Sequence, residues 1–230
     1  AAFPEKEFER IIPMQSVFKD AIDKEFATTK FGEEQLYKGQ VKMRNGIVPG
    51  SSFKAITGQI TVKGDILKGL AYDLEPREVN PEMTKEQRAG RLCKYVYFPT
   101  KEMEEHASKC ETSSYMPIQY IYHQVQEISV PLISNREFVT LRFTVDASST
   151  NKKYFTYTHS CNPEVQFANK VVRAQLLNFN CYEEIGNGEF TVTNFFHCDP
   201  QGSLPAAIFN MQLESQMDYL IDVKKYVEEK

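Results

Sequence analysis

Apolar residues recur along this chain with two different periods, and the switch between them divides it. From the N-terminus, Phe8, Ile11, Ile12, Val17, Phe18, Ala21, Ile22 and Phe26 fall at helical spacing on either side of Pro13. That pattern predicts a helical arm over residues 1–30, kinked or split at the proline. Glu34–Arg44 and Ser52–Lys63 are short runs of mixed alternation, separated by Asn45, Gly46, Pro49 and Gly50, and read as two antiparallel strands. Asp65 is placed to cap a helix carrying Ile66, Leu67, Leu70, Ala71 and Leu74, which Pro76 should end. Thr84–Phe98 reads as a further helix, with Thr84 as N-cap and Pro99 as its stop, while the polar run Glu102–Cys110 suits helix or strand.

After Ile118 the period becomes two. β-Branched and aromatic residues dominate Ile118–Ile128, Arg136–Asp146, Lys153–Cys161, Val171–Glu184 and Glu189–Cys198, which are expected to be strands. The connections ASSTNK, NPEVQFAN and IGNG are rich in turn formers, so sequential antiparallel pairing is the simplest topology. The chain then returns to helical spacing. Asp199, Pro200 and Gly202 should close a turn, Ser203 cap and Pro205 open a long helix over 203–230. Ala206, Phe209, Leu213, Met217, Leu220 and Val227 form its apolar stripe. Such a helix needs an apolar surface, either an ordinary core or a cavity that it closes as a lid. The order of elements predicts one α+β domain over 1–230, in which a curved antiparallel sheet grips the terminal helix.

Composition removes several classes of function. The net charge is -4, with a pI near 5.7 and no Lys/Arg block, so a nucleic-acid partner is not expected. No apolar run approaches the roughly 18 residues of a membrane span, and AAFPEKEFER lacks the apolar core of a signal peptide. Cys93, Cys110, Cys161, Cys181 and Cys198 are odd in number, widely spaced and without a CxxC pair. They read as reduced core thiols of a cytoplasmic protein rather than a disulfide framework or zinc site. His106, His123, His159 and His197 show neither HExxH nor the close spacing of a metal pair, so no metal and no cofactor is expected. GxSxG, GxGxxG and Walker loops are absent, and the chain is not expected to be an enzyme, although a Cys–His pair that meets only in space stays open.

The strands are heavy in aromatics, with 16 Phe and 12 Tyr in the chain, which suits either a core or the lining of an apolar cavity. Arg142 in FVTLRFTV and His123 in IQYIYHQV interrupt apolar strands, and each must face water or find a partner inside. If Arg142 faces inward, alternation turns Phe138, Thr140 and Thr144 inward with it.

Three motifs resemble the START family, the domains related to the steroidogenic acute regulatory protein. In PLISNREFVTLRF, Ser134, Asn135, Arg136, Phe138, Val139, Leu141 and Arg142 match. Val172, Arg173 and Ala174 follow, and in HCDPQGSLPAAIFN the matches are Asp199, Pro200, Gly202, Ser203, Pro205 and Asn210. Glu137 stands where Asp is usual, Ile208 stands near a common aromatic position, and the region between Pro76 and Pro99 holds an apparent insertion in place of the family's W-D signature.

The resemblance implies a helix-grip fold whose tunnel holds one lipid between sheet and terminal helix. It also implies a monomeric, non-enzymatic carrier that extracts a lipid from one membrane and releases it at another, cytoplasmic and peripheral at membranes, with a processed secreted form left open. Lipid-binding residues would be Arg142, His123, Phe138 and Thr140 on the strands and Phe209, Leu213, Met217 and Leu220 on the helix. The gate would be that helix together with the loop Glu127–Asn135, whose Ile128, Val130, Leu132 and Ile133 are placed to touch a bilayer. In sterol-type members an acidic side chain one strand earlier pairs with the arginine that Arg142 matches. His123 counts to that acidic position, which favours a phospholipid over a sterol. Two alternatives stay open: an enzyme of cyclase or aromatase type on the same fold, and a sensor that binds lipid without transferring it.

Overall fold

Pro13 divides the N-terminal arm. It sits in the 3-10 turn Ile12–Met14 between α1 (Glu5–Ile11) and α2 (Gln15–Thr28), because its missing N–H and its ring interrupt a continuous α-helix. The structure, a computed structural model, describes residues 3–80, 82–88, 90–101, 118–164 and 168–229. Strands β1 (Lys30–Phe31), β2 (Gln35–Tyr37), β3 (Val41–Ile47) and β4 (Ala55–Lys63) come next. The run Glu34–Arg44, expected as one strand, is a hairpin: Lys38 and Gly39 take φ of 46° and 69° and fold β2 back on β3. Asp65 caps α3 (Ile66–Leu74) as expected, its Oδ1 accepting the Leu67 amide at 2.9 Å.

The helix expected over Thr84–Phe98 is not formed. Only α4 (Lys85–Arg88) is helical, Gly90 turns the chain at φ 75°, and Arg91–Tyr97 is strand β5. RLCKYVY carries the aromatic and β-branched side chains of a strand, and an edge strand is available for it to join. The polar run Glu102–Cys110, with His106 and Cys110, lies outside the described residues. The five later strands form as read: β6 (Ile118–Gln126), β7 (Arg136–Asp146), β8 (Lys153–Ser160), then β9 (Val172–Arg173) and β10 (Gln175–Gly186), and β11 (Glu189–Asp199). Val171–Glu184 is divided because β9 turns aside to pair in parallel with β7.

The terminal helix differs in detail. Ser203 does not cap it; Pro205 occupies the N-cap position, and the helix is broken into α5 (Ala206–Met211), a 3-10 turn Leu213–Met217 and α6 (Asp218–Glu228). At the break the Ser215 hydroxyl donates to the Gln212 carbonyl at 2.7 Å, competing with the main-chain ladder.

Among the described residues the strands form one sheet in the order β1-β3-β4-β11-β10-β8-β7-β6-β5, antiparallel at each step, so the fold is α+β with a curved antiparallel sheet and a C-terminal helix. Alternation sends its side chains into two cores. On the outer face Ile121, Val139, Leu141, Phe143, Tyr157, Phe179 and Phe195 pack with Phe8, Ile11, Phe18 and Ile22 of the arm. On the inner face Val41, Met43, Ile56, Ile60, Val62 and Val192 pack against Leu213, Met217, Leu220, Val223 and Val227. Each such burial contributes about 1.5–3 kcal/mol relative to exposure. Gly58 of β4 permits the close approach, since a Cβ there would run into the Met217 sulfur. The terminal helix therefore grips one half of the inner face. The other half, formed by β5 to β8 with parts of β10 and β11, is left as the wall of a cavity.

Candidate functional site

The cavity measures about 680 Å³, within the range of small-molecule sites. Its walls include the apolar Phe138, Leu176, Phe196, Ile208, Phe209 and Leu213. Ile128, Ser129 and Val130 of the loop after β6 border it, as do the exposed Gln212, Ser215 and Gln216 at the helix break.

Its buried end is polar. Alternation along β7 brings Thr140 and Arg142 inward beside Phe138, and Arg142 forms an ion pair with Asp73 of α3. Asp73 also accepts hydrogen bonds from Thr156 Oγ1 at 2.6 Å and Asn180 Nδ2 at 3.1 Å. Arg142 Nη1 donates to the Tyr122 hydroxyl at 3.3 Å, which donates to the Tyr120 hydroxyl at 2.6 Å. Burial alone would raise the Asp73 pKa. The Arg142 charge and the hydrogen bonds from Thr156, Tyr219 and Asn180 outweigh it and hold the carboxyl below its ordinary range. Burial opposes the charge on Arg142 as well, but the Asp73 carboxylate and the surrounding phenols raise its pKa well above the ordinary value. Both stay ionised at neutral pH, so the pair is a fixed dipole rather than a proton donor or acceptor. Two polar atoms here have no partner among the described residues: Arg142 Nε and Asn194 Oδ1.

A second group of cations stands on β5. Lys94 places its ammonium 3.9 Å from the centre of the Tyr122 ring, and Arg91 Nε donates to Gln124 Oε1 at 3.2 Å; all four residues line the cavity. Burial, reinforced by Arg91, Arg142 and Arg77, pulls the Lys94 pKa down to about 7.

The residues singled out in the sequence fall in three places. Arg142, Phe138, Thr140, Phe209, Leu213, Ile128 and Val130 line the cavity. Met217 and Leu220 do not; they are fully buried against β3 and β4, because the helix turns that part of its stripe onto the sheet. Of the remaining loop residues, Leu132 projects into solvent at φ 64°, and Ile133 is half-buried outside the lining. Thr144 is also absent from the lining. His123 is the clear correction. It points to the face of β6 opposite Tyr122, where its Nε2 lies 2.9 Å from Glu137 Oε1, and the acid beside Arg142 is Asp73. Glu137 also accepts Arg173 Nη2 at 2.8 Å and the Ala168 amide at 2.9 Å.

Sequence reasoning missed Asp73, Arg91 and Lys94. Asp73 left one signal, a carboxylate on the buried stripe of α3 with Ile66 and Gly69.

The sequence motifs act as joints around the cavity. Arg136 is 1% exposed and donates to three carbonyls: Ser134 O, Pro200 O at 2.5 Å and Gln201 O at 2.9 Å. Asn135 Oδ1 accepts the Ile128 amide at 3.0 Å, and Asn210 Oδ1 accepts the Lys54 amide at the same distance. These bonds fix both flanks of the loop Glu127–Asn135 and seat α5 on the strand it passes.

A smaller pocket of about 350 Å³ lies away from this site, beside Ser51, His197 and Glu25. His197 Nδ1 is 2.9 Å from Glu25 Oε2, but Ser51 Oγ is 3.5 Å from His197 Nε2 and already accepts the Phe53 amide at 3.1 Å. The arrangement ties α2 to β11 and does not present an activated hydroxyl.

The sequence profile of the START domain matches residues 103–221. No curated protein matches the chain. Human StAR-related lipid transfer protein 5 is 16% identical with a TM-score of 0.61, over 94% of this chain and 98% of that one. The human StarD13 (DLC2) lipid transfer and protein localization domain is 16% identical, with a TM-score of 0.59 over 94% and 96%. The STAR-related lipid transfer protein from Xanthomonas axonopodis is 12% identical, with a TM-score of 0.61 over 87% and 98%. At these identities the solved structures share the fold.

Proposed function

Because the chain belongs to the START domain family, whose members are lipid-binding domains, we propose that it takes one phospholipid into the cavity and carries it between membranes. The reading rests on one observation: a cavity of about 680 Å³ with apolar walls at the terminal helix and a buried charged pair at its other end. Each wall suits one part of an amphipathic lipid. Hydrocarbon gains roughly 25 cal/mol per Å² on leaving water, so a few hundred Å² of acyl chain gains several kcal/mol. The polar end supports a phospholipid over a sterol. Among the described residues Arg142 Nε lacks an acceptor there, and a glycerophosphate headgroup presents several acceptor oxygens, some of them charged, where a sterol presents a single neutral hydroxyl. Asp73 and Arg142 are locked as ions and so fit a positioning role, which favours a carrier over an enzyme. The carrier would work as a cytoplasmic monomer that meets membranes transiently through the loop Glu127–Asn135.

Native mass spectrometry after incubation with vesicles of mixed phospholipid and cholesterol tests the binding step. A one-to-one phospholipid adduct is expected, and fluorescent phospholipid should move from donor to acceptor vesicles when the protein is added. No adduct with either lipid class would sink the reading; an adduct without transfer would leave a sensor.

A further inference from the structure

The cavity holds more positive charge than its ion pair needs. Among the described residues, Arg91, Lys94, Arg136 and Arg142 line it against two carboxylates, Asp73 and Glu127. Asp73 is committed to Arg142, and Arg136 is committed to backbone carbonyls. Glu127 is exposed and forms no ion pair among the described residues, and Arg91 and Lys94 form none either.

Local backbone geometry brings these two cations together. The register of β5 against β6 shifts between Arg91 and Cys93, so that Arg91 stands opposite Gln126 and Lys94 opposite Gln124. Residues three apart in a regular strand point to opposite faces; the bulge turns both to the face of Tyr122, Gln124 and Gln126. Two half-buried cations on one wall, with no carboxylate between them among the described residues, repel each other and lose hydration, and an anion entering the cavity would relieve both. The depression of Lys94 to about 7, by burial first and then by Arg91, Arg142 and Arg77, is the same deficit seen at one atom.

We infer that Arg91 and Lys94 form the headgroup subsite of the cavity and select a phospholipid whose headgroup is anionic and carries no ammonium, such as phosphatidate or phosphatidylglycerol. The inference rests on the lipid-binding reading and narrows it. A phosphate placed there accepts charge-assisted hydrogen bonds from both side chains, with Gln124 and Gln126 as neutral neighbours. A choline or ethanolamine group meets the reverse: its positive charge faces Arg91 and Lys94, and the aromatic face best suited to an ammonium, that of Tyr122, is already covered by Lys94.

The test offers the protein vesicles containing phosphatidylcholine, phosphatidylethanolamine, phosphatidylglycerol and phosphatidate in equal mole fractions, removes the vesicles, and reads the retained lipid by native mass spectrometry. Presenting all four together separates selection in the cavity from attraction to a charged surface. Anionic adducts should exceed phosphatidylcholine adducts by about tenfold or more, the scale of a charge-assisted hydrogen bond. Arg91→Gln/Lys94→Gln should bring the ratio close to one while retaining a lipid adduct, and Lys94→Arg should keep the selectivity. Equal occupancy by zwitterionic and anionic lipids in the native protein overturns the subsite and leaves lipid binding standing; no adduct of any kind overturns both. Glycerol 3-phosphate, titrated into lipid-free protein by calorimetry, should bind no more tightly than about millimolar, because it brings the phosphate without the acyl chains that supply most of the affinity. Binding at about micromolar or tighter that disappears in the double variant would assign the site to a soluble phosphate and overturn the lipid assignment.

Discussion

Asp73 and Arg142 set the energetic stakes of the cavity, because each is buried and each is tolerable only beside the other. Removing one member of a buried pair leaves an uncompensated charge and costs about 3–5 kcal/mol. Asp73→Asn should therefore lower the unfolding free energy at pH 7 by about 3 kcal/mol in urea titration. Its pH dependence separates charge from shape. The folded-state pKa of Asp73 lies below the ordinary 3.8, so the carboxylate contributes stability above that value, and the contribution is lost as pH falls through the folded pKa. The gap between native and Asp73→Asn proteins should close under acid; a gap constant from pH 7 to pH 3 would show that packing carries the effect. Arg142 was legible in the sequence because a charge in an apolar strand must find a partner. That partner was not, because it comes from 69 residues away on a different element. Counting along β6 led to His123, which alternation sends to the other face, where Glu137 holds it. Arg91 and Lys94 were hidden for a further reason: their shared direction comes from a bulge, which no period reports.

Elements with a strong period were legible, and those shaped by their neighbours were not. The five strands after Ile118 keep the expected limits to within a few residues, since long alternating runs have one way to bury a face. Thr84 and Pro99 imitate the ends of a helix, yet Arg91–Tyr97 became a strand because β6 offers it an edge. The stripe of the terminal helix suits either a core or a lid, and its two ends serve these different surfaces. Phe209 and Leu213 face the cavity, whereas Met217 and Leu220 are anchored on β3 and β4. A helix so fastened opens more readily at α5 than at α6, because α5 has no fully buried residue and α6 buries Leu220, Val223 and Val227. Gly58 tests the anchor. An added methyl there meets Met217, Val41 Cγ1 at 3.0 Å and Leu220 Cδ1 at 3.3 Å, so Gly58→Ala should destabilise the fold by about 1–3 kcal/mol. Hydrogen exchange should locate the loss at Met217–Val227; protection unchanged over that span would mean that the contact relaxes without moving the helix.

At the scale of the whole molecule, the proposed carrier must bring a chain with net charge -4 to a membrane surface. Its net charge offers no general electrostatic attraction to an anionic bilayer surface. Apolar contact is the remaining route, and two exposed side chains flank the cavity's border. Leu132 is fully exposed, two residues beyond Val130, and Met211, 83% exposed, precedes Gln212. Leu132 is held at φ 64°, a conformation that costs a leucine of order 1–3 kcal/mol and buries none of its surface in the protein. Inserting such a side chain into hydrocarbon contributes about 2 kcal/mol, more than a tenfold change in membrane affinity for each residue. Both residues sit beside segments through which a lipid would pass, Ile128–Val130 on one side and the helix break on the other, so in the proposed carrier docking and opening would fall at the same place. Leu132→Asp/Met211→Asp should cut vesicle-to-vesicle transfer at least tenfold while leaving the lipid adduct in native mass spectra unchanged. Loss of the adduct as well would place these residues in the fold or the cavity, and an unaltered transfer rate would show that the protein meets the bilayer with another face.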